Sequence, residues 1–371
     1  MKRLTISTLI LWACCVPVAS ATCYSNWTEF HMPNMERWNP CEKVLNVNNV
    51  GNLGLLWSNT IGAYSSSPAV ANGVVYVGSV DHNVYALKAS TGAKLWSYTA
   101  GGPVEWSSPA VANGVVYVGS VDHNVYALNA STGAKLWSYR TGNAVRSSPA
   151  VANGVVYVGS SDHNVYALNA STGTELWSYL TVAGVYSSPA VANGVVYVGS
   201  SDHNVYALDA STGTKLWSYV TSGGVNSSPA VAEGVVYVGS IHGIVYALNA
   251  STGALLWNYT TGAGIYNSSP AVANGVVYVG SGSNVYALNA STSVKLWSYK
   301  TGSYVYSSPA VANGVVYVAS YGGNLYALNA STGTKLWSYN TRSSVLSSPA
   351  VANGVVYVGS TDNKVYAFGL K

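Results

Sequence analysis

The sequence repeats one segment of about 40 residues eight times, and this period limits the fold more than any other feature. One copy runs from Ser107 to Tyr139 as SSPAVANGVVYVGSVDHNVYALNASTGAKLWSY. Self-similarity at this spacing indicates one supersecondary unit that buries its apolar face against its neighbours. The prolines that mark the copies are Pro68, Pro109, Pro149, Pro189, Pro229, Pro270, Pro309 and Pro349.

Turn signals divide each copy into four short apolar runs. Asn113-Gly114 lies between AVA and VVYV, and an Asn-Gly pair supplies the two positive φ angles of a type I′ hairpin. No window has apolar residues at helical spacing. We therefore predict antiparallel strands over about 105–112, 115–119, 125–129 and 135–139, which together are typical of one β-propeller blade.

The two ends of the repeat array predict how the ring closes. The eighth copy ends at Lys371 without its TGxxLW strand, whereas an unmatched LGLLWS precedes the first copy. Pairing of this N-terminal strand, about 53–58, with the last blade would remove two open sheet edges. The predicted fold is all-β, an eight-bladed propeller of four-stranded antiparallel blades closed in this way.

The segment before the repeats predicts an export signal and a short strap. Residues 1–21 combine Lys2 and Arg3 with a short apolar run and Ala19-Ser20-Ala21, which is typical of a cleavable secretory signal. The run is too short to span a bilayer. We expect a signal over 1–21, an N-terminal strap over 22–52 and the propeller over 53–371. The protein would be secreted or periplasmic, with lipoprotein anchoring at Cys14 as the less favoured alternative.

The mature chain would keep two cysteines. Cys23 and Cys41 are expected to form one structural disulfide that fastens the strap in an oxidising compartment. A metal site is not expected, because the pair lacks companion ligands at a usual spacing.

Composition limits the classes of function. Charged residues make up 8% of the chain and the net charge is +4, with no basic patch for nucleic acid. The serines and histidines are mostly repeat elements, so no catalytic Ser/His/Asp set is indicated, and no carboxylate pair suits glycosidic chemistry. We therefore nominate no catalytic residue, and we expect a monomer without a transmembrane segment.

The repeat resembles a known family. ALNASTGAKLWSY resembles the tryptophan-docking motif of the pyrroloquinoline quinone (PQQ) propeller repeat, and residues 26–58 are similar to the N-terminal segment of quinoprotein alcohol dehydrogenases. The resemblance implies eight blades, with each motif tryptophan stacked between neighbours. The resemblance also extends to noncatalytic propellers such as BamB, a component of the bacterial outer-membrane assembly machinery. The tryptophans are Trp57, Trp96, Trp137, Trp177, Trp217, Trp257, Trp297 and Trp337.

Three departures from the dehydrogenases favour a noncatalytic scaffold. The family enzymes are longer, use an adjacent cysteine pair over the cofactor, and hold Ca²⁺ through acidic and amide side chains. Here the adjacent cysteines Cys14 and Cys15 lie in the predicted signal, and Glu105 is the acidic residue placed near the axis. We expect no cofactor. PQQ with Ca²⁺ belongs to the alternative, a minimal PQQ-dependent oxidoreductase.

The copies differ at two places, where function is expected. Half of the second turns carry an Asp-His pair, whose histidines either accompany Asp-capped turns or form a pH-sensitive patch; these are His82, His123, His163 and His203. The residue before SSP should ring one mouth of the axial channel, where its variation reflects either drift at an exposed strand start or recognition of a protein, peptide or glycan partner. The predicted ligand-binding residues are Glu105, Trp106, Arg146, Tyr186, Asn226, Asn267 and Tyr306.

Overall fold

The protein forms a ring of eight antiparallel β-sheets. The computed structural model describes residues 26–30, 32, 36–63 and 66–371. Neighbouring inner strands contact each other around the whole ring, from blade 8 back to blade 1, with blades numbered by their inner strands in chain order. The predicted all-β, eight-bladed propeller is therefore confirmed. Among the described residues, no helix is long and apolar enough to cross a membrane.

Each blade has four strands, ordered from the axis outward. Blades 1 and 2 consist of Ala69–Ala71, Val74–Gly78, Asn83–Lys88 and Lys94–Thr99, then Ala110–Ala112, Val115–Gly119, Asn124–Asn129 and Lys135–Arg140. Blades 3 and 4 consist of Ala150–Ala152, Val155–Gly159, Asn164–Asn169 and Glu175–Leu180, then Ala190–Ala192, Val195–Gly199, Asn204–Asp209 and Lys215–Val220.

The second half of the ring follows the same plan. Blades 5 and 6 consist of Ala230–Ala232, Val235–Gly239, Ile244–Asn249 and Leu255–Thr260, then Ala271–Ala273, Val276–Ser281, Asn284–Asn289 and Lys295–Lys300. Blades 7 and 8 consist of Ala310–Ala312, Val315–Ala319, Asn324–Asn329 and Lys335–Asn340, then Ala350–Ala352, Val355–Ser360, Asn363–Leu370 and Leu53–Ala63. The N-terminal segment adds strand Trp38–Asn39 and a 3-10 helix, Val50–Asn52.

The ring closes through the N-terminal strand. Leu53–Ala63 pairs antiparallel with Asn363–Leu370, with Leu53 opposite Leu370. This confirms the predicted pairing, although the strand is longer than the expected 53–58. The last blade thus takes its outer strand from the N-terminal segment, so the facing edges of Leu53–Ala63 and Asn363–Leu370 are paired instead of exposed.

The Asn-Gly turns are as predicted, but the inner strands are shorter than predicted. Asn113 and Gly114 have φ angles of 50° and 76°, as a type I′ turn requires. The inner strand of blade 2 covers only Ala110–Ala112, not 105–112. Pro109 cannot donate a ladder hydrogen bond, and the backbone before it bonds to serine side chains instead.

Both serines of each SSP motif have a structural role. The first serine accepts a backbone N–H of its own blade, as when Gly119 donates to Ser107 Oγ at 2.8 Å. The second joins blades, since the Ser108 N–H donates to Ser148 Oγ of the next blade at 2.9 Å. Eight such bonds close into a ring, the serine belt, made of Ser67, Ser108, Ser148, Ser188, Ser228, Ser269, Ser308 and Ser348.

Outer parts of adjacent blades are joined by an aromatic pair on one carbonyl. Trp96 Nε1–H and the Tyr76 hydroxyl both donate to Ala130 O of the next blade, at 2.9 and 3.1 Å. Gly133 lies against the indole, and a Cβ there would come within 2.6 Å of Trp96 Cε3. All eight motif tryptophans donate in this way to the following blade, at 2.8 to 3.0 Å.

The junction between blades 7 and 8 departs from this pattern. There Trp337 donates to Leu53 O of the N-terminal strand at 2.9 Å. The hydroxyl of the fully buried Tyr317 has no hydrogen-bond partner among the described residues. Burial raises the pKa of Tyr317, so the hydroxyl stays protonated at neutral pH. At the other junctions the equivalent tyrosine hydroxyl donates to a backbone carbonyl of the next blade.

We predict that Tyr317→Phe leaves the free energy of unfolding unchanged or raises it by about 1 kcal/mol, because it removes a buried hydroxyl that has no partner in the described part of the chain. The matched variant Tyr237→Phe should lose about 1 kcal/mol, since that hydroxyl donates to Ala290 O at 3.2 Å. Urea unfolding of the two variants measures the difference. Equal losses in both would show that Tyr317 has a hydrogen-bond partner after all.

A second prediction concerns Ser293, which occupies the position of Gly253 in the preceding blade and has a φ of 63°. A side chain in the left-handed region costs about 1 kcal/mol relative to glycine. Ser293→Gly should therefore raise the free energy of unfolding by about that amount, and Gly253→Ser should lower it by at least as much. A destabilised Ser293→Gly protein would contradict this account.

Candidate functional site

The mouth of the axial channel is a pocket built from the loops that enter each inner strand. Its cavity is about 200 Å³. Of the predicted ligand-binding residues, the structure brings six together in its lining, namely Trp106, Arg146, Tyr186, Asn226, Asn267 and Tyr306. Leu346 lines it too, whereas Glu105 does not. Ser65, the equivalent residue of the first copy, lies outside the described residues.

The floor of the pocket combines the serine belt with one aromatic ring of the N-terminal segment. Five belt serines and Phe30 contribute to the lining. Each belt serine accepts a backbone N–H through its oxygen, and that bond does not use the hydroxyl hydrogen. A ligand at the floor would thus meet a circle of potential O–H donors.

The other end of the channel, nearer the Asn-Gly turns, is covered by the N-terminal segment. Trp27 and Val70 exchange two backbone hydrogen bonds, and Val111 donates to Thr28 O at 2.8 Å. Farther along, strand Trp38–Asn39 pairs in parallel with the inner strand of blade 7. The segment therefore binds inner-strand N–H groups, which leaves the mouth as the open end.

A buried arginine fixes this cover. Arg37 is fully buried and donates to the carbonyl oxygens of Pro309, at 2.9 Å, and of Pro349, at 3.2 Å, and also to that of Phe30. Its guanidinium lies 4.5 Å from the Phe30 ring centroid. Desolvation lowers the Arg37 pKa to about 9, so the group remains charged at neutral pH. Arg37 thereby holds the ring that closes the pocket floor.

Glu29, the residue before Phe30, is a buried titratable group of the cover. Its Oε2 accepts the Val151 N–H at 3.2 Å. Desolvation raises its pKa to about 7, against a smaller lowering effect of that hydrogen bond. The Glu29 carboxyl is consequently protonated over much of the range in which ordinary glutamates are ionised.

Backbone strain distinguishes one mouth residue. Trp106 has a φ of 67°, which is rare for a bulky side chain. The loop before blade 2 is one residue longer than most because Glu105 precedes Trp106. A bulky residue held in the left-handed region is a feature that occurs preferentially at ligand sites.

Four tyrosines form an exposed group beside the pocket, which we call the tyrosine cluster. Tyr306 lines the pocket and lies 5.8 Å from Tyr304, with nearly parallel rings. Tyr321 packs edge-on against it at 5.8 Å, and Tyr266 lies 6.4 Å away. Only Tyr306 was predicted from the sequence. The longer loop before Pro270 and the loss of the Asp-His pair in blade 7 were signals for Tyr266 and Tyr321.

The histidine half-ring lies elsewhere and has a conformational explanation. None of His82, His123, His163 and His203 is among the residues that line the pocket. All four have φ angles between 73° and 78°, and Gly243 and Gly323 occupy the same turn position in blades 5 and 7. Histidine tolerates the left-handed region better than most residues.

The aspartates before these histidines stabilise the turns. Asp162 Oδ1 accepts the Asn164 N–H at 2.9 Å and its Oδ2 accepts the Tyr166 hydroxyl at 2.9 Å. Burial by itself would raise the Asp162 pKa, but these hydrogen bonds outweigh it and hold the pKa below its usual value. A pH-sensitive histidine patch stays an untested proposal.

The remaining predicted features concern the cysteines and metals. Cys41 is disulfide-bonded, whereas Cys23 lies outside the described residues, so their pairing stays a prediction. Residues 1–21, the predicted signal, also lie outside them. In the described part of the chain, no group of three or more His, Cys, Asp or Glu side chains could hold a metal ion.

These features define the class of the protein, an eight-bladed β-propeller of the PQQ-like repeat type. Residues 63–312, more than half of the chain, match the family model described as the β-propeller of beta-alanine-activating enzyme. The chain therefore belongs to that propeller family. Residues 302–371 match the model of outer membrane protein assembly factor BamB.

Similar proteins include enzymes and an assembly factor. Lupanine 17-hydroxylase [cytochrome c] of a Pseudomonas species is 36% identical over 83 residues, 22% of this chain and only 12% of that relative's length. A europium-containing methanol dehydrogenase has a TM-score of 0.82 at 16% identity, covering 93% of this chain and 98% of its own. BamB from Moraxella catarrhalis has a TM-score of 0.74 at 21% identity, covering 85% and 99%. At these identities the structural likeness shows the fold alone.

We predict that the cover of the channel weakens as pH rises. Because the Glu29 pKa is raised to about 7, the folded state holds a proton that the unfolded state loses near pH 4.5, so stability falls between these values. Glu29→Gln keeps an oxygen for the Val151 N–H but cannot titrate. The free energy of unfolding of this variant should therefore fall less between these pH values, with a difference from wild type of about a few kcal/mol at most. The exposed-residue control is Glu175→Gln. Identical slopes for wild type and Glu29→Gln, from urea unfolding at pH 4.5 to 8, would refute the assignment.

Proposed function

We propose that the protein is a noncatalytic binding or assembly scaffold, secreted or periplasmic, that presents the mouth face of its propeller to a protein, peptide or glycan partner. The observation that carries the proposal is the contrast between the mouth and the rest of each copy. Belt serines, docking tryptophans and turn residues recur around the ring, whereas the residues that line the mouth differ from blade to blade.

The chemistry of the mouth suits binding. Aromatic rings at Trp106, Tyr186 and Tyr306, two amides and one guanidinium converge on a concave site with a hydroxyl-lined floor. Such a mixture of apolar surface and a few convergent polar groups is typical of ligand sites. The matches to BamB and to dehydrogenases agree with either a scaffold or an enzyme, so the scaffold proposal draws its support from the side chains of the mouth instead.

The alternative, a PQQ-dependent oxidoreductase, fits the site poorly. PQQ carries three carboxylates and works with Ca²⁺, which takes six to eight oxygen ligands, usually including carboxylates. The described lining has one cationic side chain, Arg146, and no carboxylate, since Glu105 lies outside it. The donor set therefore matches neither the charge of the cofactor nor the needs of the cation.

The two functions separate in one purified preparation. We predict that added PQQ with Ca²⁺ leaves no bound chromophore after gel filtration and gives no alcohol-dependent dye reduction. Turnover that is lost in Arg146→Ala would establish the oxidoreductase and end the scaffold proposal.

Binding is tested with the mouth intact and altered. We predict that material captured by the wild-type protein from the native extracellular or envelope fraction is lost with Trp106→Ala/Arg146→Ala, and that affinity for it falls at least about tenfold. Arg140→Ala, at an exposed outer strand end, is the matched control and should capture normally. Equal capture by the mouth variant would place the binding surface elsewhere.

A further inference from the structure

We propose that the ligand of the mouth is an acidic oligosaccharide. This inference rests on the proposed use of the mouth as a binding site. The terminal sugar, which carries a carboxylate, enters the axial pocket and binds Arg146. The following sugars leave the pocket over Tyr306 and stack on the tyrosine cluster. Pocket and cluster together form one site with a charged end and an aromatic end.

The charge of the pocket selects an anionic group. Arg146 is the only charged side chain among the described residues that line it. It forms no ion pair or hydrogen bond with a described residue. In ring order it stands between Trp106 and Tyr186, which line the same pocket. A guanidinium with free N–H groups binds a carboxylate through two parallel hydrogen bonds.

The size of the pocket fits one ring and not a whole chain. Its volume of about 200 Å³ is below the roughly 300 to 1,000 Å³ of pockets that enclose drug-sized ligands. The rest of an oligomer must therefore lie outside, on the mouth face. Tyr306 is four ring positions from Arg146, directly across the mouth, and connects the pocket to the tyrosine cluster.

The tyrosine cluster supplies the platform for the outer sugars. Tyr304, Tyr321 and Tyr266 are 53%, 49% and 45% exposed, although each packs against Tyr306. Mutual packing holds the rings in place, so little side-chain entropy is lost on binding. Aromatic faces bury the C–H surface of a sugar while the phenol hydroxyls bond its rim.

The backbone favours a glycan over a peptide main chain. A peptide that adds to a sheet edge needs free N–H and C=O groups. At the mouth, the belt serines' N–H groups already bond to the next blade, and the Gly119 N–H bonds to Ser107. At the other end, the N-terminal segment occupies inner-strand N–H groups such as those of Val70 and Val111. What remains for a ligand is hydroxyls, amides and a guanidinium, the partners that sugars use.

One amide is already oriented for this role. Asn226 Oδ1 accepts a hydrogen bond from Ser201 Oγ at 2.9 Å, which leaves its NH₂ group to donate into the pocket. Asn267 lies next to Asn226 in ring order and belongs to the same lining. Two amides in the same pocket as the guanidinium can bond the ring hydroxyls of a sugar whose carboxylate is held by Arg146.

The test uses oligogalacturonates of one to four units and their carboxyl-reduced counterparts, titrated into the intact protein by calorimetry. We expect binding of the acidic series to exceed that of the neutral series by about tenfold or more, the effect of one charge-assisted pair. Affinity should rise with chain length up to three or four units. Equal binding of acidic and neutral chains, or none, overturns the proposal.

Variants locate the two ends of the site. Arg146→Gln should abolish the preference for the acid, while Arg140→Gln, an exposed arginine outside the pocket, should keep it. Tyr304→Gly installs the residue found at the equivalent positions 184 and 264, and should weaken tetramer binding several-fold without changing monomer binding. Leu136→Ala, an exposed apolar residue on an outer strand, is its control.

The outcomes also separate this inference from the proposed function. If amidated and free-acid peptides bind in place of sugars and Arg146→Gln removes that binding, the mouth remains a binding site and the glycan assignment fails. If the partner captured from the native fraction binds the mouth variant normally and no sugar binds, both fail.

Discussion

The structure depends on a hydrogen-bonding arrangement in which one backbone carbonyl receives two aromatic donors from the preceding blade. Trp96 and Tyr76 both donate to Ala130 O, and hydrogen bonds are directional. The position of each blade relative to the next is therefore set by hydrogen-bond geometry as well as by the apolar area that the rings bury. A side chain in place of the glycine that lies on the indole would press against the ring, which explains why TG recurs with the tryptophan in every complete copy but the one that carries Ser293. The tryptophan, the tyrosine and the glycine of this arrangement all contact a neighbouring blade. The mouth positions that vary between copies lie in the loops.

The serine belt joins neighbouring blades near the axis, as the tryptophans join them near the outer edge. Its eight N–H···Oγ bonds replace strand pairing just where proline interrupts the ladder, which keeps the inner strands three residues long. Together with the N-terminal segment, the belt leaves few backbone groups free near the axis. Recognition at the mouth therefore falls to side chains, and their differences from blade to blade acquire chemical meaning.

Much of this architecture was accessible from the sequence because it rests on local turn chemistry repeated eight times. The Asn-Gly turns and the closing strand followed from position alone, and six mouth residues followed from strand order. The contacts of Arg37 and Glu29 were not accessible, since they join the N-terminal segment to blades far away in sequence. The tyrosine cluster was missed because Tyr266, Tyr304 and Tyr321 come from three different loops that only the folded ring brings together.

Ring closure makes the junction of blades 7 and 8 differ from the other junctions. The mouth is asymmetric in a different way, because its two halves carry different side chains. At the junction of blades 7 and 8 the N-terminal strand offers Leu53 O to Trp337, and the Tyr317 hydroxyl has no partner among the residues that the structure describes. The mouth instead divides into a half with Trp106, Arg146 and Tyr186 and an opposite half dominated by tyrosine. Two one-residue loop insertions, which place Glu105 and Tyr266, precede blades 2 and 6 and therefore lie at opposite ends of one line across the ring. A site with distinct ends along such a line orients an extended ligand, which eight identical loops could not do.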